Sequence, residues 1–197
     1  MTQAKSRFRK IEDYLAYDDG TDIPYELVDG VLVEMGVENP GNIAIAIFLI
    51  SVLLQLSVPH YLIHRGTEIV VPSQSVTSRY PDLIVLTEAC WSALSGAKRS
   101  LITPEMPAPA LVIEVVSPGE PGEKNYDRDY IDKRKEYAAR GIPEYWLIDP
   151  SRNVVIVLHL SGQLYQEIGR FQGQDQIVSP TFPGLTLIAE QILQAGV

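Results

Sequence analysis

Two acidic residues in this chain stand where a carboxylate is expensive. Glu114 lies inside the apolar run Leu111-Val112-Ile113-Glu114-Val115-Val116, and Asp82 opens the run Pro81-Asp82-Leu83-Ile84-Val85-Leu86. Both runs are short and rich in branched apolar residues, the pattern of interior strands. An ionised carboxylate costs several kcal/mol to bury unless a cation pairs with it or it coordinates a metal. Two such groups on adjacent strands would make a divalent-metal site.

A lysine supplies the next candidate. Residues from about Tyr126 to Arg140 have helical spacing and stop at Gly141. A 3.6-residue period sets Tyr126, Tyr130, Lys133 and Tyr137 on one stripe, with Arg140 at its C-terminal end. A lysine amid half-buried aromatic rings either snorkels to water or meets a carboxylate or phosphate. If this helix packs beside the Asp82 and Glu114 strands, the amine reaches the same pocket. Arg140 is explained as a cation favoured near a helix C-terminus.

Other elements must hold these residues in place. Lys10 to Tyr17 reads as a short amphipathic helix, and Tyr25 to Met35 as a hairpin turned by Asp29-Gly30, which suits a type I′ turn. Asn42 to Leu56 is apolar almost all round, yet shorter than the roughly 20 residues a bilayer needs, so it reads as a buried core helix. Tyr61 to Val71 reads as a strand broken or bent near Gly66, Ala89 to Ala97 as a short helix and Ser117 to Glu123 as a loop. Tyr145 to Ile148, Asn153 to Leu160 and Gln163 to Ile168 follow as strands, the first two joined through Asp149-Pro150. With 197 residues, 46% of them apolar, the chain can bury a full core, and a single α/β (α+β) domain over 1–197 is expected.

Composition narrows the chemistry. A formal charge of -9 argues against binding nucleic acid mainly through a basic surface. One cysteine, Cys90, excludes an intramolecular disulfide and a thiolate zinc cluster, and together with the absence of an apolar signal core in Met1 to Phe8 it points to a reducing cytoplasm. His60 and His64 have the spacing of a zinc pair, but the segment after Pro59 reads extended, which sets i and i+4 roughly 13 Å apart. His159 reads as a satisfied surface histidine and Trp146 as core. No nucleophile elbow or phosphate loop of the Gly-Lys-Ser/Thr type is present.

The order of motifs resembles a known family. Tyr25-Glu26-Leu27-Val28-Asp29-Gly30, Pro81-Asp82-Leu83, Ile113-Glu114-Val115-Val116-Ser117-Pro118, Asp127 through Lys133 with Tyr137, and Gly141 through Pro150 are similar to the Uma-two restriction-endonuclease family, a branch of the PD-(D/E)xK nucleases. The resemblance implies a restriction-endonuclease-like core, a central mixed β-sheet flanked by helices. It implies Asp82 and Glu114 as Mg²⁺ ligands, with Mn²⁺ as a substitute, and DNA as substrate. The lysine that closes the superfamily triplet is Val116 here, and Lys133 matches the lysine that the Uma-two pattern carries in the following helix. Glu26 matches the acid of the family hairpin, as an additional ligand or as an acceptor behind the ligands.

The implied chemistry is metal-assisted phosphodiester hydrolysis, with Mg²⁺ on Asp82, Glu114 and the backbone carbonyl of Val115, and Lys133 orienting water or offsetting transition-state charge. Arg128, Lys133, Arg134 and Lys135, or a partner chain such as a second copy, would have to supply a local basic rim. Plainer accounts exist for each residue: Asp82 capping a turn, Glu114 in a buried ion pair, Lys133 laying its stem over tyrosines, Glu26 on an exposed hairpin. With Val116 lacking an amine, the alternative reading is a catalytically silent binding or assembly module on the same fold.

Overall fold

The strands of the computed structural model, which describes residues 7–18, 20, 25–36 and 38–197, form two mixed sheets instead of one. The smaller sheet holds β1 (Tyr25–Val28), β2 (Val31–Glu34), β4 (Glu68–Val71), β5 (Thr77–Arg79) and β7 (Leu101–Ile102) in the order β2-β1-β5-β4-β7. The larger holds β3 (Ile63–His64), β6 (Leu83–Val85), β8 (Leu111–Val115), β9 (Glu144–Asp149), β10 (Val154–Ser161) and β11 (Leu164–Phe171) in the order β11-β10-β9-β8-β6-β3. The Tyr61 to Val71 strand is therefore broken, one of the two outcomes expected at Gly66. Gly66 turns the chain at φ +78, a left-handed conformation that favours glycine, so Ile63–His64 stays in the larger sheet while Glu68–Val71 joins the smaller. The Asp29-Gly30 turn behaves as expected: both residues have positive φ, 48 and 78, and β1 pairs antiparallel with β2 around them.

β8 lies inside the larger sheet, antiparallel to β6 and parallel to β9. Leu83 pairs with Ile113, so the next step of that register sets Asp82 opposite Glu114. Alternation along β8 then divides its side chains. Leu111, Ile113 and Val115 share a core with Ile45, Leu49 and Leu53 of the helix Pro40–Gln55 and with Ile192 and Leu193 of the helix Ala189–Gln194. Val112 and Val116 turn the other way, into the core that holds Tyr137 and Ala138. Glu114 shares that second face, so one period-2 strand delivers an apolar anchor on one side and a carboxylate on the other.

Pro40–Gln55 starts where Asn39 accepts a hydrogen bond from the Gly41 amide at 2.8 Å and Pro40 occupies the first turn. Its apolar residues are not all buried: Ile47 and Leu54 are exposed, and Ile45, Ala46, Leu49 and Leu53 form the face that packs. Each of these larger side chains contributes about 1.5–3 kcal/mol on burial. Among the described residues no helix is long and apolar enough to cross a membrane.

The helix expected from Tyr126 to Arg140 spans 124–139 and is not uniformly α. Lys124–Tyr126 and Lys133–Ala139 are α-helical, and Asp127–Asp132 between them is a π-helical turn. Gly141, at φ +79, ends it. A π turn holds about one more residue than an α turn, which breaks the 3.6-residue stripe.

Candidate active site

The two strand carboxylates meet the helix lysine at one end of the larger sheet. Asp82 precedes β6, and its Oδ2 accepts a hydrogen bond from the Val115 amide at 2.6 Å. Glu114 is buried: Oε2 accepts from Lys133 Nζ at 2.8 Å and Oε1 from the Tyr137 hydroxyl at 2.7 Å. Lys133 therefore does not snorkel to water. Its ammonium also lies 3.2 Å from Asp129 and 3.8 Å from Glu26. Glu26 in turn accepts from Arg79 at 3.2 Å and from the Tyr80 amide at 3.4 Å, while Arg79 grips Glu136 with two hydrogen bonds of 2.7 and 2.8 Å. All five sequence candidates, Glu26, Asp82, Glu114, Val115 and Lys133, line one cleft of about 630 Å³.

Negative charge exceeds positive here. Glu26, Asp82, Glu114 and Asp129 face Lys133, Arg128 and Arg79, and Arg79 must also balance Glu136. Burial pushes the Glu114 carboxyl up to about 8; Lys133 opposes the rise, and Asp82 and Asp129 add to it. Burial also raises Asp82, against the Val115 hydrogen bond and Lys133. For Glu26 burial opposes ionisation, but Lys133 and Arg79 outweigh it and hold the carboxyl below its ordinary value. For Asp129 burial is likewise outweighed, by Lys133 and Arg128. Lys133 stays charged because Glu114, Glu26 and Asp129 together exceed the burial that would discharge it.

A hard divalent cation suits this donor set. Among the described residues no three His, Cys, Asp or Glu side chains converge closely enough to form a ready-made cage. The oxygens at hand are those of Asp82, Glu114 and the Val115 carbonyl, all hard donors of the kind Mg²⁺ and Mn²⁺ take. Asp82 uses one carboxylate oxygen on Val115, and the Val115 carbonyl accepts from Asn42 Nδ2 at 3.2 Å, which leaves a second lone pair. The surplus of carboxylates is the charge that such an ion would offset. Glu26 has its oxygens turned to Arg79, Tyr80 and Lys133, the place of an acceptor behind the ligands.

Several sequence expectations need correction. Tyr126 and Tyr130 do not join Lys133 and Tyr137 at Glu114: their rings stack 4.3 Å apart, and the Tyr130 hydroxyl donates to Asp149 at 2.7 Å, while the Tyr130 ring packs on the core that holds Tyr137. Arg128, Lys133, Arg134 and Lys135 do not form one basic rim, because Lys133 is buried, while Arg134, which donates to the Tyr165 carbonyl, and Lys135 line a separate groove with Ile131 and Leu164. Arg140 does more than complement a helix end, since it donates to the carbonyls of Thr103 and Met106. His159 has a buried Nδ1 without a partner among the described residues, so it is not a satisfied surface group. His64 bonds to Thr67 and the Tyr61 carbonyl, and Val116 is core.

Asp129, Arg79 and Asn42 escaped the sequence reading. Asp129 lies inside the matched span Asp127 through Lys133 without being singled out there; Asp127 accepts from the Gly122 amide outside the cluster, whereas Asp129 is buried on Lys133. The i,i+4 spacing of Asp129 and Lys133 was the available signal.

Comparison with known proteins agrees with this architecture. A crystal structure of a protein from Anabaena variabilis, described as a "putative nuclease", superposes with a TM-score of 0.67 at 20% identity and covers 95% of this chain and 98% of that one. No curated protein matches the chain. A family model described as "Putative restriction endonuclease" matches residues 11–190. With the match running through nearly the whole described chain, the protein belongs to the Uma-two family.

Proposed function

We propose that this protein hydrolyses phosphodiester bonds of DNA with Mg²⁺ or Mn²⁺ as cofactor. The observation that carries the reading is the pairing of Asp82 and Glu114 on adjacent strands, next to a buried lysine, at a cleft where acids outnumber cations. Family membership agrees with it. Asp82, Glu114 and the Val115 carbonyl would hold the ion, which when bound offsets phosphate charge and lowers the pKa of water.

The chain's own residues do the rest. Lys133 keeps its proton through neutral pH, so it orients a nucleophilic water or stabilises charge on the phosphoryl oxygens as a cation, not as a base. Tyr137 fixes one Glu114 oxygen and so sets the direction of the other. Arg79 and Glu26 fix Lys133 from the smaller sheet. Cys90, buried and without a second cysteine, suits a reducing cytoplasm. The test is cleavage of plasmid and single-stranded DNA with Mg²⁺ or Mn²⁺, beside Asp82→Ala; wild-type protein no more active than the variant refutes the reading.

One observation favours the silent-module alternative: the amine is held by three carboxylates and Val116 adds no second one. Calorimetry showing no Mg²⁺ or Mn²⁺ binding would decide for it.

A further inference from the structure

Two arginines at the cleft, Arg65 and Arg128, keep an Nη1 without a hydrogen bond among the described residues, and Arg128 is the one that shares a carboxylate, Asp129, with Lys133. Six of the lining residues are acidic and three are basic. Lys133 is held by Glu114, Asp129 and Glu26 and is buried, and Arg65 is paired with Glu38 while its Nε donates to the Asp82 carbonyl. Arg128 is engaged along one edge only: Nε and Nη2 donate to the two oxygens of Asp129 at 2.8 and 2.9 Å. A guanidinium has five N–H donors in a plane, so a fork on the Nε–Nη2 edge leaves three, and the Nη1–Nη2 edge is itself a fork that matches two oxygens of a phosphate. Among the described residues Nη1 has no hydrogen bond, and the side chain is 29% exposed where it lines the cleft.

We propose that Arg128 is the residue that binds the substrate's phosphate, its Nη1–Nη2 edge donating to the non-bridging oxygens of a phosphodiester while Asp129 holds the adjacent Nε–Nη2 edge. This assignment rests on the nuclease reading for its ligand class. The electrostatics explain the need for it. Without an ordered donor, a cleft richer in carboxylates than in cations repels a polyanion, and a chain of net charge -9 offers little long-range attraction. Asp129 ties this to the reaction centre, because its Oδ1 accepts from Arg128 at 2.8 Å and lies 3.2 Å from Lys133. One carboxylate thus sets the spacing between the phosphate donor and the Lys133 amine.

The test is fluorescence anisotropy of labelled duplex and single-stranded oligonucleotides across a salt series, with Ca²⁺ present to limit cleavage, on wild type, Arg128→Gln, Arg128→Lys and the exposed-site control Lys124→Gln. Circular dichroism checks that each is folded. Arg128→Gln is expected to weaken binding about tenfold or more and to lower the slope of log K against log salt by about one phosphate contact. Arg128→Lys keeps the charge but cannot fork on Asp129, so its loss should be smaller, with the salt slope retained. Equal affinity and slope in wild type and Arg128→Gln overturn the assignment while a cleaving wild type leaves the nuclease reading intact. Wild type that binds but never cleaves, with binding lost in Arg128→Gln, overturns the nuclease reading and keeps the phosphate site. Wild type that does not bind either oligonucleotide overturns both.

Discussion

Glu68 in the smaller sheet and Glu114 in the larger are almost equally buried, 5% and 4% exposed, yet their surroundings differ in kind. Glu68 is met by the Tyr14 and Ser78 hydroxyls at 2.7 and 2.8 Å and by Arg99 at 2.6 and 2.9 Å, and that guanidinium also lies 4.0 Å over the Tyr14 ring. One carboxylate faces one guanidinium. Glu144 goes further and is satisfied by neutral donors, the Trp146 indole, the Ser179 hydroxyl and the Thr181 amide. Glu114 has good donors too, but it shares Lys133 with two other acids, and Asp82 adjoins it across the sheet. Burial of a glutamate is therefore not the mark of a site. The proposed site rests instead on an unbalanced group of acids at a cleft.

The largest expected effect is at the shared cation. Lys133→Met leaves Glu114, Asp129 and Glu26 without it, so both stability and activity should fall, by about 3–5 kcal/mol in denaturant melts and roughly a hundredfold or more in cleavage. Unchanged stability would show that the cluster tolerates its charge without Lys133. Paired substitutions at Glu114 and Glu68 separate the two regions. Glu114→Gln should reduce cleavage roughly a hundredfold without lowering stability at neutral pH in metal-free buffer, because it relieves repulsion from Asp82 and Asp129 as it removes a Lys133 partner. Glu68→Gln should do the reverse, costing about 2–3 kcal/mol by weakening a balanced buried pair and leaving the activity of folded protein unchanged.

Titration separates the regions more gently. The folded Glu114 carboxyl stands at about 8, above its unfolded value of 4.5, so its contribution to stability is complete below that unfolded value and is lost as pH rises through about 8. In metal-free buffer, thermal melts of wild type should decline between about pH 5 and 8 relative to Glu114→Gln. Asp149 has the opposite sign. Burial opposes its ionisation, but hydrogen bonds from Ser151, Tyr130 and Arg152 outweigh that and hold it below 3.8, so its contribution is present above that pH and is lost on acidification through its lowered value. Parallel pH curves for wild type and Glu114→Gln would remove the distinction. The smallest effect is expected at Lys135, which is exposed outside the cluster: Lys135→Met should change stability by less than about 0.5 kcal/mol and cleavage by less than about twofold.

Much of this is legible in the sequence. Leu111 to Val116 and Pro81 to Leu86 carry strand periodicity with an acid out of place, Asp29-Gly30 marks its hairpin, and Gly141 ends its helix, because each is a local signal of alternation, turn chemistry or backbone freedom. The π turn was not legible. A periodic pattern of apolar residues does not report one additional residue in a turn, so it does not show that Tyr130 turns its hydroxyl to Asp149 and not to Glu114. The second sheet was hidden for a similar reason, since Gly66 is compatible with both a bend and a break.

By itself the sequence determined which residues are buried in strands and that Glu114 must find a partner, since burial of a charge in an apolar run is costly whatever the fold around it. The packing of the two sheets and the helix sets who those partners are. Charge balance at the cleft is a sum over Glu26 from β1, Arg79 from β5, Asp82 and Glu114 from adjacent strands, and Asp129 and Lys133 from one helix. Every one of those residues is compatible, locally, with water or with some other ion pair. Whether their charges cancel, as around Glu68, or remain in excess, as around Glu114, depends on distances that only the packing of two sheets and a helix sets, because Coulomb energy varies with separation and burial and not with position along the chain.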